Sequence, residues 1–437
     1  MATLSTMFAS LTNRNYRLFF FGQLISLTGS WAQIVAQDWL VLDITNNSAS
    51  ALATVTALQF APTILFTLYA GLLADRLDKR KMLIVIMATM ATAAIIMGVL
   101  VISGHIALWH VFIFATITGV GNAFEKPIRQ VFVPELVEPK QLINALSLNS
   151  AVFNSARLIG PALGGLLIAV AGTGWAFVVN GVAYIPVVIS MFVMRMSEMN
   201  PHPRTERARG QLMVGLRFLR GRPDLLLVMS MGAVMGALAL NINQLLSLRA
   251  RVDLGVSAAH LGLLSSALAV GALMGALLGA KSKGSPRPGV QLGCAAGFGA
   301  TAVLLALAPN AFATAIVLVP MGAFLIGHNT VANARMQLGT PAELRGRVMS
   351  VYMLVFFGGT PLGALVLGGV ATATSVQFSL ILLGISVIGA SAIFAAARAY
   401  RHGARIWLGR EPHLHLHIER PKYDTVRIPV TFPRVAR

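Results

Sequence analysis

Residues 154–165 read Asn-Ser-Ala-Arg-Leu-Ile-Gly-Pro-Ala-Leu-Gly-Gly, and they lie inside a long apolar segment. Arg157 therefore falls where hydrocarbon would surround the chain, which costs at least about 2.5 kcal/mol unless a polar partner or a cavity offsets it. The proline leaves a backbone carbonyl without its helical partner, and the three glycines let a neighbouring helix come close. The stretch predicts a membrane helix at a tightly packed interface that also accommodates a charge.

The composition indicates a membrane protein. Of the 437 residues, 56% are hydrophobic and 11% are charged, whereas soluble proteins carry about 25% charged residues. A formal net charge of +19 can indicate a nucleic-acid partner, but in a membrane protein basic residues first report topology. The single Cys294 excludes a disulfide framework. We expect no cleaved signal peptide, because the first apolar run is too long for one.

Twelve apolar segments have the about 20 residues that a membrane-spanning helix requires. In chain order, spans 1 to 12 cover residues 17–42, 49–74, 82–103, 106–125, 143–170, 174–195, 225–248, 259–280, 289–308, 311–334, 347–371 and 377–397. We predict an all-α polytopic membrane protein with two pseudo-symmetric six-helix halves. The predicted regions are the N-terminal half 1–196, a basic cytoplasmic linker 197–223, the C-terminal half 224–400 and a basic cytoplasmic tail 401–437.

The basic residues predict the topology. If both termini are cytoplasmic, every lysine and arginine lies on the cytoplasmic side except Arg157 inside the membrane and Arg249 and Arg251 in an outer loop. This is a strong positive-inside distribution, and it explains the basic charge without nucleic acid. We expect a multi-pass protein of the inner (plasma) membrane.

The two halves resemble each other in sequence. Arg129-Gln130 precedes span 5 as Arg335-Met336-Gln337 precedes span 11, and Gly160-Pro161 is echoed by Thr360-Pro361. Parallel six-helix repeats joined by a long cytoplasmic linker are the layout of one large group of secondary transporters.

The end of span 2 and the loop that follows it carry a recognisable pattern. It contains, in order, Gly71, Asp75, Arg76, Lys79 and Arg80. This pattern resembles the loop signature of the major facilitator superfamily, and the match covers nearly all of residues 14–398; Asp78 stands where glycine is usual. The resemblance implies a latch in which Asp75 faces the N-terminus of span 11, held by exposed pairs worth about 1 kcal/mol. Alternatively, the basic residues only anchor the topology.

Span 5 resembles the antiporter signature of exporting members of this superfamily. Gly160, Pro161, Gly164 and Gly165 match its ending. The glycines of span 8 (Gly271, Gly275 and Gly279) offer a surface for span 5 to pack against. Ordinary helix packing would explain the same residues. Drug–proton antiporters often carry an arginine where span 4 has Ala115, so Arg157 is the candidate for that role.

The closest resemblance is to the subgroup of drug and siderophore exporters that contains the enterobactin exporter. It is carried by residues 13–19, 29–41 and 129–137. The subgroup also includes macrolide exporters and a lysophospholipid flippase, so it does not define a substrate.

Span 1 presents small and polar residues on one helical face, which we expect to point inward because lipid would penalise it. A substrate cavity explains this face, and polar packing between helices is the alternative. The cavity candidates are Ser26, Ser30, Gln33, Gln37, Gln59, Asn122, Asn241, Gln244, Asn329 and Asn333.

Asp38 is the only carboxylate well inside a span, which makes it the first candidate for proton coupling. Alternatively, it lies at a helix interface near the outer headgroups. Counting residues puts the backbones of Asp38 and Arg157 about 10 Å apart in depth, so direct pairing is open. His328 in span 10 is either a second proton carrier or a hydrogen-bonding wall residue.

The sequence predicts a secondary active exporter, a proton-coupled antiporter of a small amphipathic or apolar molecule such as a drug or siderophore. A lipid flippase or proton-independent facilitator is the alternative, and a membrane sensor or scaffold is a third reading that the latch and the polar path argue against. No glycine-rich Lys-Ser/Thr loop is present, so we expect neither an enzyme nor an ATP-driven pump. The expected partners of this monomer are its substrate, protons and membrane lipids, with no nucleic acid, cofactor or metal.

The tail histidines (His413, His415 and His417) alternate as metal ligands can, but a basic tail on the anionic inner leaflet is the preferred interpretation.

Overall fold

The computed structural model describes residues 8–199, 211–281 and 287–401 and three strands in the tail. Side chains are described throughout these ranges except at 67–76, 211–212, 280–281, 342–343, 401 and in the strands.

Twelve helical spans form the membrane region, and the prediction of an all-α polytopic fold is confirmed. The helices that form spans 1 to 12 are Arg14–Ile44, Ala49–Arg76, Lys79–Ile102, Leu108–Phe132, Leu142–Ala171, Thr173–Ala183 with Ile185–Val193, Pro223–Leu238 with Ile242–Leu248, Ala258–Lys281, Pro288–Leu307, Ala311–Leu338, Ala342–Gly358 with Thr360–Ala373, and Val376–Arg401. In the described ranges, 11 helices are long and apolar enough to cross a membrane. Span 4 is equally long but carries Glu125, Lys126 and Arg129 towards its end.

Local chemistry sets the ends and breaks of these helices. The side chain of Asn13 accepts hydrogen bonds from the backbone of span 1, and Asp78 does the same for span 3. Asp78 thus acts as a helix cap at the position where the family pattern has glycine. Gly172, at φ +89°, makes the turn between spans 5 and 6. Spans 6 and 11 are interrupted just before Pro186 and Pro361, which lack the N–H that a continuous helix needs.

Short elements connect the spans. Single 3₁₀ turns cover Ala9–Thr12, Val133–Leu136, Pro139–Gln141, Met196–Glu198 and Ala239–Asn241, and a π-turn covers Arg249–Asp253. The predicted linker contains a helix, Gln211–Arg220, and its Gly215 packs on the backbone of Arg347. In the tail, β1 (Arg405–Gly409), β2 (His415–Arg420) and β3 (Tyr423–Pro429) form an antiparallel sheet in that order. The prediction did not include these strands, although His415 and His417 alternate with Leu416 and Ile418 along β2.

Apolar residues pack inside the bundle and also cover its surface. One large core cluster joins residues of spans 1 and 8, such as Val35 and Leu268, and a second surrounds Tyr16 and Phe132. Val170 is 79% exposed and Phe312 is 76% exposed. Apolar side chains on the outside of a helical bundle suit hydrocarbon rather than water.

Candidate functional site

A small cavity lies where spans 1, 5, 7 and 8 meet. Its polar and charged lining residues are Asp38, Arg157, Asn243, Ser247 and Ser265, and its apolar lining includes Trp31, Ile34, Pro161 and Leu268. The volume is about 20 Å³, which is enough for one water molecule. Spans 1 and 5 belong to the first six spans and spans 7 and 8 to the second six, so the cavity lies between the two sets.

Asp38 is joined to the other set of spans by a hydrogen bond. Its side chain is buried, and Ser247 Oγ donates to its Oδ2 over 2.7 Å. The same hydroxyl lies 3.0 Å from the carbonyl of Asn243, one turn earlier in span 7. The sequence identified Asp38 as an acid deep inside a span. It did not identify Ser247, because the sequences of spans 1 and 7 do not show which of their residues face each other.

Arg157 lines the same cavity without forming an ion pair to Asp38. Both residues are described, and no ion pair within 4.0 Å joins them. Instead, the guanidinium of Arg157 lies 5.7 Å from the ring centroid of Trp31, within the range of a cation–π interaction. The structure therefore answers the open question about this pair: the two groups share a cavity but do not contact.

A second polar contact joins the two sets of spans at the end of the bundle that the predicted topology assigns to the outside. Arg251 Nη2 lies 2.8 Å from Asp43 Oδ1, and its Nε donates to Asn47 Oδ1 over 3.2 Å. The guanidinium also lies 4.5 Å from the ring centroid of Trp39. We call these four residues the outer cluster. The sequence analysis placed Arg251 outside the membrane, but it assigned no role to Asp43 or Asn47.

The polar face of span 1 contacts span 6. Ser30 Oγ lies 3.0 Å from the hydroxyl of Tyr184, and the amide of Asn180 donates to Gln33 Oε1. Ser26 is buried. These contacts are those of polar packing between helices, which was the alternative interpretation of this face. A role of Ser26, Ser30 and Gln33 in substrate binding stays a prediction.

Two other candidates leave buried polar atoms unpaired. Among the described residues, Gln37 Oε1 and both polar atoms of the Gln244 side chain have no hydrogen-bond partner. Each such group costs about 1–3 kcal/mol when it stays unsatisfied. These glutamines, next to Asp38 and Asn243 in sequence, have hydrogen-bonding capacity to offer, as do the side-chain oxygens of Asn241 and Asn329.

The remaining candidates lie elsewhere. Asn122 and Asn333 donate to carbonyls of their own helices, and Asn241 donates both to Ala237 of its own span and to Thr360 of span 11. Asn329 has an unpaired side-chain oxygen, and Gln59 is half-buried beside Gly119.

His328 is fully buried with Nδ1 3.2 Å from the carbonyl of Gln291. It contacts span 9 and does not line the cavity of Asp38. In the described residues, no group of three or more histidine, cysteine or acidic side chains has the arrangement of a metal site. His415 and His417 alternate along β2, and His413 lies outside the described residues.

A family model described as "Transmembrane secretion effector" matches residues 5–415. The chain belongs to this family. The resemblance to major facilitator exporters is thereby confirmed, and the chain is a multi-pass membrane protein of a transporter family. Residues 1–4 and 416–437 lie outside the match.

Relatives of this chain include proteins named as transporters, efflux pumps and exporters. It is 27% identical over 391 residues to the multidrug efflux pump Tap of Mycolicibacterium fortuitum, covering 86% of this chain and 94% of that protein. It is 24% identical over 387 residues to the enterobactin exporter EntS of Salmonella typhimurium, covering 86% and 92%. The match to the staphyloferrin A transporter of Staphylococcus aureus is 30% identical over 169 residues, and it covers 38% of this chain and 42% of that protein.

Solved structures show the same fold. A bacterial homologue of the lysosomal transporter Spinster, in an inward-facing and unoccupied conformation, aligns with a TM-score of 0.69 at 15% identity, covering 88% of this chain and 97% of that one. A POT family transporter aligns with a TM-score of 0.73 at 10% identity, covering 89% and 96%.

The loop motif of this secretion effector makes contacts within the first six spans. Lys79 Nζ lies 2.7 Å from the buried carboxylate of Glu135, and Arg80 donates to the carbonyls of Met191 and Phe192 over 2.5 and 3.1 Å. These bonds tie the start of span 3 to spans 4 and 6. The side chains of Gly71, Asp75 and Arg76 lie outside the described residues, so the latch stays a prediction.

The glycines of span 5 face two different neighbours. Gly160 and Gly164 pack on span 1, where an added Cβ would lie 2.5 Å from Trp31 Cβ or from the carbonyl oxygen of Ala32. Gly165 packs on the backbone of Ala258 at the start of span 8. Span 5 therefore uses one face within the first six spans and another across the interface.

The prediction that the glycines of span 8 pack against span 5 is wrong. Gly271 and Gly275 pack on the backbone of span 10, and Gly279 lies against Thr330 of the same span. Gly262 is the glycine of span 8 that contacts span 5, at the carbonyl of Pro161. A row of small residues predicts a close helix contact, but it does not state which of several neighbours makes it.

Proposed function

We propose that this secretion effector exports a small amphipathic or apolar molecule from the cytoplasm by alternating access, in exchange for protons. The observation that carries the proposal is the cavity between the two sets of spans, where the buried Asp38 of span 1 accepts a hydrogen bond from Ser247 of span 7. A buried acid at the moving interface of a transporter is suited to coupling. We further propose residues 1–196 and 224–400 as the moving halves, joined by residues 197–223 and followed by the tail 401–437.

The contacts support a state closed towards the outside. The outer cluster, the Asp38–Ser247 bond, and the packing of Gly165 on Ala258 and of Gly368 on Ala49 all join the halves at the ends that the topology assigns to the outer surface. Opening this side requires these contacts to separate together. The transport cycle then alternates between this arrangement and one in which they are broken.

The geometry of Asp38 suits proton coupling because both of its protonation states can be satisfied. When Asp38 is ionised, Ser247 donates its hydroxyl proton to the carboxylate. When Asp38 is protonated, it can donate to Ser247 Oγ, and the serine proton can turn to the carbonyl of Asn243 at 3.0 Å. Loading a proton therefore reverses the direction of one hydrogen bond and removes a buried negative charge from the interface.

Arg157 supplies the charged recognition group of the proposal because it lines the cavity, whereas the two unpaired glutamines lie outside the cavity lining. Arg157 gives one positive charge beside the indole of Trp31, while Gln37 and Gln244 offer unpaired hydrogen-bonding groups. Apolar walls with a few polar groups are typical of sites for amphipathic small molecules. The relatives, a multidrug efflux pump and an enterobactin exporter, support this substrate class.

We propose the inner membrane as its location, with both termini in the cytoplasm, and a monomer as its working form. The energy source is the proton gradient, since the sequence has no nucleotide-binding loop. We assign it no catalytic activity.

Accumulation in an efflux-deficient bacterial strain tests the proposal. Cells expressing the wild-type chain should accumulate less of an amphipathic dye panel, including ethidium and rhodamine 6G, than cells with an empty vector. Asp38→Asn should lose this difference, while the exposed Asp224→Asn should keep it. Equal accumulation with and without the wild-type chain across the panel would refute export of this class. A flippase would instead be supported if a fluorescently labelled lysophospholipid moved to the outer leaflet, where dithionite quenches its label, while the dyes were not exported.

A further inference from the structure

A second cavity lies at the cytoplasmic ends of spans 7, 9, 10 and 12, away from Asp38. Its volume is about 350 Å³, within the range of ligand sites in proteins. Apolar walls come from Leu227, Val228, Leu292 and Phe394, and charged groups come from Asp224, Arg335 and Arg398. None of the residues assigned to transport lines this cavity.

The charges of this cavity are not balanced. Its carboxylate, Asp224, is already bound by Arg222 through two hydrogen bonds of 2.9 and 2.8 Å. Arg335 donates to the neutral amide oxygen of Gln291 over 3.2 Å, and the described residues give neither Arg335 nor Arg398 a carboxylate within 4.0 Å. Two guanidinium groups therefore face one cavity without an ion pair of their own among the described residues, although each is half-buried.

The other half of the chain shows what a balanced version looks like. Arg129 is the sequence counterpart of Arg335, and it pairs with Glu125 one turn earlier at 2.9 Å. The residue one turn before Arg335 is Val331. Arg335 therefore has no acid one turn earlier in its own helix, and the second cavity lies beside this arginine.

The backbone adds to the positive potential. Spans 7 and 9 begin at Pro223 and Pro288, and both prolines line the cavity. Helix N-termini carry a partial positive charge and free N–H groups, which favour anions. Two helix N-termini and two arginines thus converge on one apolar-walled space.

The position indicates which anion fits. The cavity lies at the membrane depth where the topology places the cytoplasmic headgroups, and its neighbours Ile393 and Tyr400 are 66% and 85% exposed on the outside of span 12. Exposed aliphatic and tyrosine side chains at a helix end are typical of the lipid interface. Phe394 and Leu292 extend the apolar wall from the arginines towards this surface.

We propose that this cavity binds the phosphate headgroup of an anionic phospholipid of the inner leaflet, with Arg335 and Arg398 on the phosphate and the first acyl carbons against Phe394. Basic pockets between membrane helices on the cytoplasmic side suit such headgroups. The site is independent of substrate transport, and it gives the C-terminal half a bound lipid at the place where the N-terminal half has an internal acid.

Lipid binding to the full-length, delipidated protein in detergent tests the proposal by native mass spectrometry. The probes are palmitoyl-oleoyl phosphatidylglycerol, the matching phosphatidylcholine, and glycerol 3-phosphate. Wild-type protein should bind the phosphatidylglycerol about tenfold more tightly than the phosphatidylcholine, because both lipids carry the phosphate but the two arginines repel the choline cation. High salt should weaken the preference.

Variants separate the cavity from general surface attraction. Arg398→Gln should lose about tenfold of the phosphatidylglycerol affinity, whereas Arg398→Lys should lose less. Arg220→Gln removes an exposed arginine of the linker helix and should change nothing. Thermal unfolding by fluorescence-detected size exclusion checks that each variant folds. Equal affinity for both lipids, equal losses in Arg398→Gln and Arg220→Gln, or binding of glycerol 3-phosphate as tight as that of the lipid would overturn the proposal.

Discussion

Removing the hydroxyl of Ser247 tests how the two halves are held together on the outer side. In Ser247→Ala, the buried carboxylate of Asp38 loses its 2.7 Å donor. A hydrogen bond to a charged group contributes about 1.5–3 kcal/mol. The bond exists only when spans 1 and 7 are in contact, so its loss destabilises the outer-closed state selectively. The equilibrium should shift towards the outer-open state by a factor of about 10 at the lower bound of that range.

Distances between spin labels on two outer loops measure this shift. His105→Cys lies between spans 3 and 4 and Pro309→Cys lies between spans 9 and 10, and both positions are exposed. The labels are introduced in a Cys294→Ser background. We expect Ser247→Ala to increase the population with the longer distance.

A matched serine provides the control. Ser257 Oγ lies 2.8 Å from His260 Nδ1 within the same half, so Ser257→Ala deletes an outer hydroxyl without touching the interface. Its distance distribution should equal that of the wild type. If Ser247→Ala also leaves the distribution unchanged, the Asp38–Ser247 bond does not hold the outer side closed and the reasoning fails.

Three further substitutions follow from the packing. Arg251→Gln removes the outer ion pair and the cation–π contact. Because the pair is partly exposed, we expect the outer-closed state to lose about 1 kcal/mol of stability. In the same distance measurement, the outer-open population should be larger than in the wild type and should respond less to added salt. Gly165→Val puts a branched side chain on the backbone of Ala258, so the protein should fold but lose its outer-closed population and its dye efflux. Lys79→Met leaves the buried carboxylate of Glu135 unpaired and should destabilise the protein by about 3 kcal/mol, measured as a lower melting temperature.

Gly165→Val and Lys79→Met each have a control that makes the same change at an uncrowded or exposed position. Gly369→Val should leave efflux intact, because no atom lies within 4 Å of a Cβ there. Lys140→Met should leave the melting temperature unchanged, since Lys140 and its partner Glu138 are 77% and 54% exposed. An effect of either control as large as that of its counterpart would contradict the packing argument. For Arg251→Gln, an unchanged distance distribution would show that the outer cluster does not contribute to closure.

The membrane architecture could be predicted because it follows from one-dimensional properties. Twenty-residue apolar runs and the internal repeat determine the number of spans, and the basic residues between them predict the direction. Asp38 and Arg157 could be identified for a similar reason, since a charge is conspicuous in an apolar segment wherever it points. The helix breaks before Pro186 and Pro361 also follow from local chemistry.

What the sequence could not supply is the choice of neighbour. The sequence left open whether the polar face of span 1 lines a cavity or packs against a helix, and it did not predict that Ser30 and Gln33 contact span 6. The glycines of span 8 were expected to face span 5, and they face span 10. In a bundle where each helix touches several others, a polar or small-residue stripe identifies a contact surface but not its partner. Ser247 shows the same limit, since an ordinary serine becomes significant only because Asp38 lies opposite.

Transport in proteoliposomes under an imposed pH gradient tests the central claim most directly. Wild-type protein is reconstituted in liposomes loaded with ethidium or rhodamine 6G, and dye movement is followed with and without the gradient, alongside Asp38→Asn and the control Asp224→Asn. The account predicts gradient-driven dye movement for the wild type and Asp224→Asn, and movement insensitive to the gradient for Asp38→Asn. Gradient-driven movement that Asp38→Asn retains would contradict the assignment of Asp38, and wild-type movement indifferent to pH would contradict proton-coupled export.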